Sequence, residues 1–175
     1  MVDDAASGDS GYTLRRGDGD AGAGRLFHEG RDTGQELPGR WLEAQYSTPA
    51  GALLFVIDDA LQEDSLGIYL LDGEHHIRDQ ARLQRMYATG RLRELRRLED
   101  TQFEFSFFGD DRWALQVRGQ PRTGLHLPFP LRELHRENWL GRHWLVLRRL
   151  RASSARYAAK AREDRADSAD SNNLH

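Results

Sequence analysis

The chain has 175 residues, a net charge of −3 and no cysteine. That length fits one domain with tails. The missing cysteine excludes a disulfide framework, thiol catalysis, Cys-ligated zinc and iron–sulfur clusters, and it fits a reducing compartment.

Apolar residues make up 38% of the chain, and the shortfall against an ordinary globular sequence sits at the two ends. Of the 25 basic residues only Lys160 is lysine, so the chain is arginine-rich. No net positive field calls for nucleic acid. The opening residues are acidic and polar, unlike a secretory signal. The longest apolar run, 50–57, is too short to span a bilayer. These features predict a soluble, cytoplasmic chain with no membrane partner.

Residues 1–39 are rich in glycine and aspartate and poor in apolar side chains. So little burial does not offset ordering entropy, and we expect 1–39 to be a disordered tail. Gly17-Asp18-Gly19 and Gly22-Ala23-Gly24 are a poor phosphate cradle, because no apolar strand precedes them and acidic neighbours would repel phosphate. A single β-domain is expected over 40–150.

Trp41 to Tyr46 predicts a strand with Leu42, Ala44 and Tyr46 on one face. Thr48-Pro49-Ala50-Gly51 is a turn. Residues 52–57, ALLFVI, and 66–71, LGIYLL, are apolar at every position but Gly67, which predicts central strands covered on both sides. An acidic loop, 58–65, joins them. Asp72-Gly73 signals a hairpin. The stretch 75–87 reads as strand or helix; the tight turn before it favours a strand, with Ile77, Ala81 and Leu83 on one face and Asp79 a misfit. The stretch 91–100 is also ambiguous, since Leu92, Leu95 and Leu98 recur every three residues; a continuing meander favours a strand.

The clearest element is 101–118. Phe103, Phe105 and Phe107 alternate with polar residues, Gly109-Asp110-Asp111 intervenes, and Trp113, Leu115 and Val117 alternate again. This is a hairpin with six large apolar groups on one face. Gly119-Gln120-Pro121-Arg122 predicts a turn. Residues 125–131 hold two prolines and suit an edge. Residues 132–141, with Trp139, predict a loop or short helix. Residues 142–150 predict a last strand, and 151–175 a polar tail, partly helical or disordered. The expected fold is all-β: an antiparallel up-and-down meander of about seven to nine strands, closed as a barrel or packed as a sandwich, with disordered ends and at most one or two short helices.

No motif carries chemistry. His75-His76 are strand neighbours that point to opposite faces, and His126, His135 and His143 form no ligand motif, so no metal or cofactor is expected. Asp58, Asp59, Glu63, Asp64, Asp110 and Asp111 fall in turns without a calcium-loop pattern. Ser47, Ser65 and Ser106 lack a nucleophile-elbow context. These readings lean away from an enzyme, although an active site dispersed along the chain would leave no motif.

The one feature above background is charge asymmetry. Residues 58–74 carry six acidic groups and no basic ones, while 78–97 carry seven arginines against Asp79 and Glu94. The plain reading is a solvated surface whose halves pair with each other. The functional reading is an interaction surface at Arg91, Arg93, Arg96 and Arg97 for a protein partner with an acidic face. We therefore expect a non-enzymatic binding module for another macromolecule. The first alternative is a barrel holding a small hydrophobic ligand among Trp41, Tyr69, Phe105 and Trp113; the second is the enzyme with a dispersed site.

Overall fold

A computed structural model describes residues 10–16, 23–60, 63–125, 133–135 and 140–150. Among them there is no helix, and twelve strands form three antiparallel sheets. The first sheet is β1 (Tyr12–Arg16), β2 (Ala23–His28) and β3 (Arg31–Pro38). The second is a meander of β4 (Trp41–Thr48), β5 (Gly51–Ala60), β6 (Glu63–Leu71) and β7 (Ile77–Gln84), to which the short β11 (Leu134–His135) adds beside β7. The third contains β8 (Arg93–Glu99), β9 (Gln102–Ser106), β10 (Arg112–Leu125) and β12 (Leu140–Leu150), in the order β12-β10-β9-β8. Among the described residues no helix is long and apolar enough to cross a membrane.

The five-stranded sheet is the centre of a sandwich. Leu53, Phe55, Ile57, Leu66, Ile68 and Leu70 point to one face and pack on Phe103, Phe105, Phe107, Trp113, Leu115 and Val117 of the third sheet. Leu54, Val56, Tyr69 and Leu71 point to the other face and pack on Tyr12, Leu26 and Leu37 of the first sheet. Two-sided burial is why β5 and β6 read as continuous apolar runs rather than alternating ones. The exception in β6, Gly67, is filled from within the strand: a Cβ there would lie 2.6 Å from the Tyr69 ring, which leans across the gap.

The 101–118 hairpin forms as its alternation requires. Trp113 pairs with Phe105 and Leu115 with Phe103, and all six apolar side chains of its inner face are buried. The chain turns over Phe107 to Asp111, closed by the Phe107 amide on the Asp111 carbonyl at 2.9 Å.

Within the segment 1–39, expected to be disordered, the described residues Tyr12–Arg16, Ala23–His28 and Arg31–Pro38 form strands of the first sheet instead. Leu26 and Leu37 are both 0% exposed. The segment has few apolar residues, but Tyr12, Leu26 and Leu37 are placed to meet the second face of β5 and β6, which needs a cover. The β2–β3 turn is Glu29-Gly30 with φ of 48° and 78°; positive φ at both central positions matches the twist of a two-residue hairpin. The side chain of Gln45 acts as a strand edge for β1, accepting from the Tyr12 amide at 2.8 Å and donating to the Tyr12 carbonyl at 3.2 Å.

Three further expectations change for one reason, a bulge. Glu43 is an extra residue in β4, so Leu42 faces the second core and Ala44 and Tyr46 the first. Arg78 is an extra residue in β7, so Ile77 joins the second core while Asp79, Ala81 and Leu83 face the first. A bulge adds one residue and thereby reverses the faces beyond it. The turn expected at 119–122 is instead an irregularity inside β10: Val117 pairs with Leu145 and Arg122 with His143, so residues 118–121 oppose Trp144 alone. Pro121 is tolerated there because a bulge needs no ladder donor. The expected edge at 125–131, beyond Leu125, and Trp139 lie outside the described residues, as does the expected tail at 151–175.

Candidate functional site

The arginine cluster falls on a sheet edge. Among the described residues β8 has a partner only on its β9 side, with Arg93 opposite Ser106, Arg96 opposite Glu104 and Arg97 opposite Phe103. Arg91, Arg93, Arg96 and Arg97 are all exposed. They are not equivalent. Arg97 pairs with Asp100 at 2.9 Å and lies 6.0 Å from the Phe103 ring centroid, so its stem lids the first core. Arg91, Arg93 and Arg96 form no ion pair among the described residues. Their strand also carries Leu98, a large apolar side chain left 54% exposed.

No contact ion pair among the described residues joins 58–74 to 78–97, although the Arg78 charge contributes to lowering the Asp72 pKa. Arg85 instead reaches Asp111 at 2.6 Å and Glu133 at 2.7 Å, and Arg149 contacts the same two carboxylates. Burial opposes the charge of Arg85, but the hydrogen bonds it donates to Asp111 and Glu133 outweigh it and raise its pKa. This box ties the β7–β8 loop, the β9–β10 turn, the residue before β11, and β12 together. It is a fastening, since both carboxylates are consumed by the arginines.

The histidines separate into three environments. His143 is buried on β12, its Nδ1 3.7 Å from the Asp79 carboxylate. Asp79 accepts the backbone amides of Trp144 at 2.8 Å and Leu145 at 2.7 Å. Trp144 faces the β10 irregularity and has no in-register partner on β10, while Leu145 stays opposite Val117, whose own amide donates to the Thr101 carbonyl instead. The carboxylate thus completes a ladder that the bulge interrupts, and it joins the second sheet to the third. This is a structural use of a buried charge, with hydrogen bonds that offset its desolvation.

His75 and His28 form a second group, with ring centroids 4.7 Å apart. The Tyr12 hydroxyl shares a hydrogen bond of 2.7 Å with His75 Nδ1, and the Tyr12 ring stacks on His28 at 4.5 Å. Burial, with the negative charge of Asp72, raises the Tyr12 pKa. Asp72 itself is held below the usual carboxylate range: burial opposes this, but the amides of His76 and Glu74 outweigh it. The cluster docks β1 and β2 on the β6–β7 turn. His76 turns outward toward Asp72 and Glu74. His135 is exposed on β11, and His126 lies outside the described residues. Among the described residues no three ligating side chains gather as a metal site would need.

The aromatics named for a ligand cavity do not meet. Phe105 and Trp113 fill the first core, Tyr69 the second, and Trp41 is 58% exposed. A groove of about 360 Å³ lies on the outer face of β7, between Pro38 and His135, and of the four aromatics only Tyr69 is among its described lining residues. Comparison of the chain with protein-family models, curated proteins and solved structures finds no match in any of the three.

Proposed function

We propose that this chain is a non-enzymatic binding module whose docking edge is β8 and whose partner is a protein with an acidic, extended segment. The observation that carries this reading is the exposed β8 edge, where Arg93 and Arg96 on the strand and Arg91 just before it form no ion pair among the described residues although the chain as a whole is acidic. An open strand edge offers unpaired amides and carbonyls to a second strand, and arginine forks recognise carboxylates bidentately. Nucleic acid fits less well, because most described aromatics are buried in the two cores rather than spread as a stacking platform. A cytoplasmic location belongs to the same proposal and rests on the absence of cysteine.

The test is native mass spectrometry of protein isolated gently from its own host, as wild type and as the Arg93→Glu, Arg96→Glu double variant. An acidic protein bound to the wild type and absent from the variant supports the reading. A partner retained by the charge-reversed variant, or no partner on either, refutes it.

A further inference from the structure

We propose that the groove on the outer face of β7 is a binding site for a small ligand bearing an oxyanion, a carboxylate or a phosphate monoester. It is independent of the β8 edge.

The groove exists because the first sheet stops short. Its apolar residues cover β4, β5 and β6 but reach only Ile77 of β7. Beyond Ile77, the positions that face the same way are Gln80, Arg82 and Gln84, all half-buried. These three line the groove together with His135, Tyr69 and Pro38. Arg82 sits at the middle of this surface. Its ladder partners are Gly67 on one side and His135 on the other. Gly67 contributes no side chain, and the Tyr69 ring leans over it, held by the Tyr69 hydroxyl donating to the Pro38 carbonyl at 2.9 Å. Arg82 is therefore flanked by an anchored aromatic ring and by an imidazole.

The charge of this surface is one-sided. No carboxylate is among its described lining residues, and the Arg82 guanidinium has no ion-pair partner among the described residues. Arg85, three residues further on and just past the end of β7, has two carboxylates. A half-buried arginine without a counter-ion among the described residues, beside a histidine, fits an oxyanion from outside. The volume of about 360 Å³ lies at the small end of the range for ligand sites and suits a small molecule rather than a peptide.

The test is a two-dimensional amide NMR titration of the full chain with benzoate, phenyl phosphate and the neutral benzamide. Saturable shifts at 80–84 and 134–135 with either anion support the site, and the tighter anion separates carboxylate from phosphate. Arg82→Gln should weaken anion binding by about tenfold or more, the loss of one charge-assisted contact. Arg82→Lys should keep part of it, and Arg148→Gln on β12, an exposed arginine outside the groove, should leave anion binding unchanged. Shifts that do not saturate or that fall elsewhere, benzamide binding as tightly as benzoate, or indifference to Arg82→Gln would each overturn the proposal.

Discussion

Replacing Asp79 by alanine tests whether a carboxylate joins the two large sheets. Asp79 is 8% exposed and accepts the amides of Trp144, Leu145 and Gln80. The alanine variant strands those amides. Leu145 is buried, so its donor has no water to turn to, and an orphaned buried donor costs about 1–3 kcal/mol. Trp144 and Gln80 are half-buried, and together they add about 1–2 kcal/mol because water reaches them in part. Relief of the buried carboxylate's own desolvation works the other way. The expected net loss is about 2–4 kcal/mol. Asp79→Asn keeps one carbonyl oxygen that can accept two amides, and it should lose clearly less. The assay is urea denaturation followed by tryptophan fluorescence, since Trp113 is fully buried in the core that the two sheets share. A loss under about 0.5 kcal/mol for Asp79→Ala would refute the ladder-completing role, because surface substitutions away from special features lie within that range.

Leu26→Ala should cost about 2–5 kcal/mol as a large-to-small change at a fully buried site; a near-neutral result in the same denaturation assay would mean that the first sheet does not cover β5 and β6. Trp113→Ala should cost about 3–5 kcal/mol, and a small effect would remove the hairpin from the core. Burial raises the pKa values of Tyr12 and Tyr46 above their ordinary value. A raised folded pKa gives stability that is complete below the unfolded value near pH 10 and is lost as pH rises through the folded value. Thermal stability should therefore fall steeply above about pH 10, and Tyr46→Phe should flatten that fall; an unchanged slope would count against tyrosine as its source. Arg85→Gln should destabilise while leaving two carboxylates facing Arg149 alone, and adding Asp111→Asn should restore part of the loss; strict additivity of the two changes, read by denaturant midpoint, would show that the box is not coupled.

Much of the fold was legible because alternation is a local signal. The inner face of the 101–118 hairpin and the two-sided burial of 52–57 and 66–71 follow from side chains alternating along a strand, and no distant contact is needed to read them. The strand at 91–100 was legible only through its neighbours, since its leucine spacing fits a helix equally well. Asp79 was visible as a misfit in an otherwise apolar face. That was the available signal for a carboxylate with a specific partner, but the partner amides lie some 65 residues away on β12. Gly67 and the run Gln80, Arg82, Gln84 were likewise plain in the chain, yet a glycine gap and a polar alternation describe any solvated strand until a neighbouring ring and a histidine flank them.

The sequence by itself determined which residues alternate, which strands are buried twice, and that the fold is antiparallel and all-β. Only the tertiary structure decided that the glycine-rich segment orders, that Glu43 and Arg78 are bulged, and that β8 is an edge. The physical reason is the same in each case. Three apolar residues among many glycines cannot order a segment alone, but they suffice against an apolar sheet face already formed. A bulge and a strand edge are properties of a pairing, and pairing partners are chosen by the packing of whole sheets rather than by either strand.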